Sequence, residues 1–143
     1  QINYPEIQIH PCAHATSNTD VMARRLIEQI DLIPDIRGVF CTGYTSTSGA
    51  LDALDELGRR DILLVGYDLT TKTAKALKEG RVNALIVQDP YQQGYKAVQL
   101  LARHLLEGYL PEKPHLYIEN RIVLKSNLDT YYEEDRLRIW QTF

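Results

Sequence analysis

The sequence is short of nearly every feature that announces a function on its own. Among 143 residues there are two cysteines, Cys12 and Cys41. They do not form a C-x-x-C pair, which argues against a zinc ribbon or a thioredoxin-like centre. No stretch approaches the roughly 18 to 20 consecutive apolar residues of a membrane span. The start, Gln1-Ile2-Asn3-Tyr4-Pro5, lacks the basic-then-apolar order of a signal peptide. An excess of one charge is missing too: 16 Lys and Arg stand against 19 Asp and Glu, for a net charge of -3. A chain with that balance has no general attraction to nucleic acid. No low-complexity segment is present, and no internal repeat beyond an alternation of strands and helices.

What is present is an ordinary globular composition, 44% hydrophobic and 24% charged, which at this length gives one compact domain. Ile7 and Ile9 alternate with polar neighbours and predict a short first strand over Glu6 to His10. A helix is expected from about Asp20, capped by Thr19 or Asp20, with Val21, Met22, Leu26, Ile27 and Ile30 at helical spacing and Pro34 as its stop. Gly38-Val39-Phe40-Cys41 reads as a buried strand. The hydroxyl run Thr45-Ser46-Thr47-Ser48 then reads as the cap of a helix that carries Leu51, Leu54 and Leu57 and ends at Gly58.

The cycle repeats twice. Strand Ile62 to Val65 leads through Gly66-Tyr67-Asp68 into a helix over Thr71 to Lys78, closed by Gly80. Strand Ala84 to Val87 leads through Gln88-Asp89-Pro90 into a long helix over Tyr91 to Glu107, with Ala97, Val98, Leu101 and Leu105 on one stripe and Gly108 at its end. Apolar strands alternating with helices predict an α/β fold: a three-layer α/β/α sandwich, Rossmann-like, with a mainly parallel sheet covered on both faces. After Pro111 and Pro114 the pattern changes to short strand-like pieces, Leu116 to Ile118 and Ile122 to Leu124. Residues 1–127 are read as one lobe and 128–143 as a tail packed on it, with one or two helical turns over Glu133 to Trp140.

In an open parallel sheet ligands bind beyond the carboxyl ends of the strands, where the loops gather and helix N-termini point. The polar residues there are Thr42, Gly43, Tyr44 and Thr45, then Tyr67 and Asp68, then Gln88, Asp89 and Tyr91. Ionised Asp68 accepts, Gln88 donates and accepts, and the rings of Tyr44, Tyr67 and Tyr91 offer flat apolar faces. That set suits a polyhydroxylated ligand, and a bond from a sugar hydroxyl to a carboxylate contributes roughly 1.5 to 3 kcal/mol. The competing role for Asp68 is as N-cap of the following helix.

Other chemistry finds less support. His10, Cys12 and His14 alternate and would share one side of a strand, as a metal site requires. Pro11 and the want of a fourth ligand favour ordinary strand-end residues, so neither metal nor cofactor is expected. Thr42 to Gly49 resembles a phosphate cradle in its small polar residues but has neither a P-loop lysine nor G-x-G-x-x-G spacing, and helix capping is preferred. No oxyanion-hole signature or orienting third residue accompanies Cys12, so no enzyme is read from the chain.

Gly38-Val39-Phe40, Gly49-Ala50-Leu51-Asp52-Ala53-Leu54, Ile62-Leu63-Leu64-Val65-Gly66-Tyr67-Asp68 and Gln88-Asp89-Pro90-Tyr91-Gln92-Gln93-Gly94-Tyr95 together resemble, over about Ile7 to Asn127, the C-terminal lobe of LacI-type regulators and periplasmic sugar-binding proteins. The ending Leu128-Asp129-Thr130-Tyr131-Tyr132 resembles the regulator branch. The resemblance implies a non-enzymatic lobe that senses a small sugar-like ligand through Asp68 and Gln88. It also implies a second lobe that closes over the ligand. The family often carries Asn-Asp where this sequence has Gly43-Tyr44, so that contact is lost or replaced. A LacI-type regulator would be a cytoplasmic homodimer touching DNA only through a head absent from this chain. The alternative is a periplasmic sugar-binding protein or an extracytoplasmic sensor domain.

Overall fold

A computed structural model describes residues 3–12, 17–133 and 136–137. In chain order the elements are α1 (Thr19–Leu32), β1 (Gly38–Phe40), α2 (Tyr44–Glu56), β2 (Leu63–Tyr67), α3 (Thr71–Lys78), β3 (Ala84–Val87), α4 (Pro90–Glu107), β4 (Arg121–Val123), a 3-10 turn (Lys125–Thr130), and a small hairpin of β5 (Tyr132–Glu133) and β6 (Arg136–Leu137). The main sheet has the order β1-β2-β3-β4, parallel across the first three strands and antiparallel at β4. The mainly parallel α/β architecture expected from the alternation is the one observed.

Local chemistry accounts for most boundaries. Asn18, rather than Thr19 or Asp20, caps α1: its Oδ1 accepts from the backbone N–H of Asp20 at 2.9 Å and of Val21 at 3.1 Å. The helices α2, α3 and α4 are followed by Gly58, Gly80 and Gly108 with φ of 63°, 77° and 67°, the left-handed ends that favour glycine. Helix α1 lies close on α2 because Gly49 has no side chain; a Cβ there would meet Met22 Cβ at 2.6 Å and Thr19 O at 2.7 Å.

One face of the sheet, carrying Leu64, Leu85, Val87 and Val123, is buried beneath α2, α3 and the 3-10 turn, with Leu51, Leu54, Leu77 and Leu128 closing the core. The opposite face, which the alternation of strands and helices also predicted to be covered, shows Phe40, Leu63 and Ile122 exposed. Strand β1, expected to be buried, is exposed at Gly38 and Phe40 and half-buried at Val39.

Four further expectations differ from what is observed. Glu6 to His10 takes no place in the sheet, and Ile7 and Ile9 are exposed; alternation shows a pattern suited to a strand, while pairing is decided by tertiary contacts. Leu116 to Ile118 likewise forms no strand. The apolar stripe of α4 lies in solvent: Val98, Leu101 and Leu105 are exposed, and the helix buries none of its described residues. Because β3 and β4 pair antiparallel, α4 is not the crossover of a parallel strand pair, and helical spacing of apolar residues does not by itself say which surface covers them. Finally, Tyr132–Glu133 pairs with Arg136–Leu137 as antiparallel strands in place of a helical turn, with Tyr132 buried as an aromatic anchor. The rest of the tail, Arg138 to Phe143, lies outside the described residues.

Candidate functional site

Three loops meet where β1, β2 and β3 end. The first runs Cys41 to Gly43 into α2. Gly43, extended at φ -173°, is the N-cap and supplies no side-chain cap bond. The expected capping by Thr45 to Ser48 is therefore replaced by something else. These residues lie inside the helix, where Ser46 Oγ and Thr47 Oγ1 donate back to the Gly43 carbonyl at 2.9 and 2.8 Å.

The second loop is the turn after β2. The Asp68 N–H donates to the Ile86 carbonyl at 2.9 Å, which pins the turn against the end of β3, and Asp68 has φ 67°. It is the one non-glycine residue with positive φ among the described residues, a conformation that aspartate tolerates better than most side chains. Its carboxylate does not cap α3. That role falls to Thr70, whose Oγ1 accepts from Thr73 N–H at 3.2 Å while Thr73 Oγ1 accepts from Thr70 N–H at 2.8 Å. The main competing use of the Asp68 carboxylate is thus taken by another residue.

The third loop follows β3. Asp89 caps α4, its Oδ1 accepting from Gln92 N–H at 2.9 Å, and its Oδ2 faces Arg121 Nη2 at 3.5 Å. Gln88 is free of that duty. Its Nε2 donates to Asp68 Oδ1 at 3.3 Å, and both residues are half-buried. One carboxylate and one amide, held together at the carboxyl edge of the sheet, present acceptors and donors in adjacent positions, the chemistry that a vicinal diol needs. A shallow recess of about 420 Å³ is lined by Asp89, Gln92, Tyr117 to Asn120 and Arg121, and includes neither Asp68 nor Gln88.

The structure therefore brings Asp68 and Gln88 together. The three tyrosines lie on α2, β2 and α4, the elements that flank these loops. Tyr44 opens α2 and is exposed. The Tyr67 ring turns to the uncovered sheet face and meets Phe40 edge-on, with centroids 6.4 Å apart. Tyr91, on the first turn of α4, stacks on Tyr95 at 6.2 Å with the rings 6° from parallel. His10 and Cys12 are exposed in the extended segment, and His14 lies outside the described residues. Cys41, by contrast, is buried at the end of β1; burial raises its thiol pKa to about 11, against weaker lowering by hydrogen bonds with Ser46 and Thr47.

Thr47, expected as part of the helix cap, is instead fully buried inside α2. The signal was a hydroxyl in a helix that otherwise turns small and apolar residues inward.

Comparison with known proteins gives a consistent picture. The family described as periplasmic binding protein domain matches residues 1–108. The ribose import binding protein RbsB of Salmonella typhimurium is 40% identical over 75 residues, which are 52% of this chain and 25% of that protein. A solute-binding protein of an ABC transporter from Agrobacterium vitis, solved with α-D-tagatopyranose, superposes with a TM-score of 0.82 at 24% identity, over 89% of this chain and 42% of its own. A Bacteroides fragilis protein described as a LacI transcriptional regulator superposes at 0.64 with 27% identity, over 77% and 37%. The chain spans less than half the length of these relatives.

Proposed function

The chain belongs to the periplasmic binding protein domain family, and we propose that it is one ligand-reading lobe of an extracytoplasmic sugar-binding protein. Asp68 and Gln88 are its polar contacts, and binding rather than catalysis is its task. One observation carries this reading: the Gln88-to-Asp68 hydrogen bond holds an acceptor and a donor at the carboxyl edge of the sheet, while Thr70 and Asp89 take the capping duties on either side. The likeness to a ribose import binding protein supports a monosaccharide as ligand and transport as the setting. It favours the periplasmic alternative over the cytoplasmic regulator expected from the ending Leu128 to Tyr132.

The test is calorimetric titration of the full-length protein with D-ribose, D-tagatose and D-arabinose, comparing wild type with Asp68→Ala and Gln88→Ala. Each substitution should weaken binding of the accepted sugar by about tenfold or more. Unchanged affinity in both variants would sink the assignment.

A second reading, the effector lobe of a dimeric LacI-type regulator, is favoured by the Bacteroides fragilis neighbour. The residues preceding this lobe in the full-length protein distinguish the two. A helix-turn-helix head means a regulator and DNA as partner, whereas a secretion signal means a binding protein.

A further inference from the structure

Thr47 is a threonine with no exposed surface in the first turn of α2. A buried hydroxyl must find partners or cost about 1–3 kcal/mol, and Thr47 finds one in each of two loops. Its Oγ1 donates to the Gly43 carbonyl at 2.8 Å and accepts from the Tyr67 N–H at 2.8 Å. The first partner lies in its own loop after β1. The second lies 20 residues away, on the last residue of β2 and next in chain to Asp68.

Tyr67 N–H has reason to need this partner. In the β2–β3 ladder the Asp68 N–H reaches the Ile86 carbonyl, so the neighbouring N–H of Tyr67 points to the other side, towards β1. Strand β1 has already ended at Phe40, its last ladder bond running from Cys41 N–H to the Val65 carbonyl. The Thr47 hydroxyl takes the position that the next residue of β1 would have filled. Gly66 completes the fit: a Cβ there would collide with the Thr47 methyl and lie 2.7 Å from its Oγ1, so only glycine lets Thr47 come this close.

We propose that Thr47 is a positioning residue for the candidate site, a hydroxyl strut that locks the Gly43 loop to the Tyr67-Asp68 turn and so holds the Asp68 carboxylate where Gln88 and a ligand meet it. This rests on the sugar-binding reading for its consequence and on the hydrogen-bond geometry for its cause.

Thr47→Val keeps the shape and removes the hydroxyl, while Thr47→Ser keeps the hydroxyl and removes the methyl. Both are made in the full-length protein. Two quantities are read: amide hydrogen exchange at Tyr67 and Asp68, and calorimetric affinity for D-ribose, D-tagatose and D-arabinose. The strut requires exchange at Tyr67 to quicken by about tenfold or more in Thr47→Val and to stay near wild type in Thr47→Ser, with sugar affinity falling by a similar factor in the first and held in the second. Equal losses in both variants would reduce Thr47 to packing and overturn the proposal. So would a Thr47→Val protein that binds sugar as wild type does while Asp68→Ala does not, which leaves the functional reading standing. A wild type that binds none of the three sugars counts against the functional reading, and the exchange measurement then judges the strut alone: unaltered protection at Tyr67 in Thr47→Val overturns it.

Discussion

Gln88 Nε2 and Asp68 Oδ1 lie 3.3 Å apart at the ends of adjacent parallel strands, 20 residues apart in sequence. The bond is long for a charge-assisted pair, whose usual range is about 2.7–2.9 Å, so the carboxylate is oriented without being fully engaged. Asp68 also sits at φ 67°, a local cost of about 1–2 kcal/mol for an ordinary side chain.

The backbone and ligand roles of Asp68 separate by substitution. Asp68→Gly relieves the positive φ and should hold or raise thermal stability relative to Asp68→Ala by about 1 kcal/mol. Both variants should lose sugar affinity alike. Denaturation curves and titrations of the two proteins side by side check this, and a glycine variant that still binds at full strength would mean the carboxylate is not a contact.

Gly66→Ala should destabilise the protein by about 1–3 kcal/mol, the usual range for overpacking a core, because the new methyl meets Thr47. Pairing it with Thr47→Ala should return part of that loss. A double-mutant cycle in urea measures the coupling, and strict additivity would show that the two residues do not share the space.

The cysteines should differ sharply in reactivity. Cys12 is exposed and Cys41 buried, both as free thiols. With its pKa raised by burial to about 11, Cys41 stays protonated in the native state well above neutral pH and is a poor nucleophile. An aromatic disulfide reagent at pH 8 should titrate Cys12 quickly and Cys41 only after unfolding. The sign for stability follows: an acid whose folded pKa is raised contributes fully below its unfolded value, and that contribution is lost as pH climbs from about 9 towards 11. Cys41→Ala should flatten that part of the pH–stability curve; an unchanged alkaline slope would assign it to other groups.

The stripe on α4 should bear charge without penalty in this chain. Leu101 and Leu105 are exposed, so Leu101→Glu with Leu105→Glu should change the unfolding free energy of the 143-residue chain by less than about 0.5 kcal/mol each, while lowering its binding of a hydrophobic dye. A large drop in melting temperature would show that the stripe is packed.

Much of this was legible in advance, for local reasons. Helix α3 and strand β3 fall on their expected bounds because a threonine cap, an apolar run and a closing glycine are all short-range signals. Asp68 and Gln88 stood out because polar residues at the ends of apolar strands have few structural uses. The miss at Glu6 to His10 has the opposite origin. Its alternation of apolar and polar residues is a strand pattern, but pairing is decided by tertiary contacts, and the segment joins neither described sheet. The hydroxyl run before α2 misled in the same way: side chains suited to capping were one turn too late, and Gly43 took the N-cap position.

The sequence by itself determined the alternation of strands and helices, the mainly parallel sheet and the pair of polar residues at its carboxyl edge, since each follows from periodicity and capping within a few residues. Only the tertiary structure decided which carboxylate is spared from capping, which face of α4 stays in solvent, and that Thr47 joins two loops. The Asp68–Gln88 pair and the Thr47 link join residues 20 apart in sequence, where the position of one backbone fixes what its neighbour needs, and no local pattern encodes it.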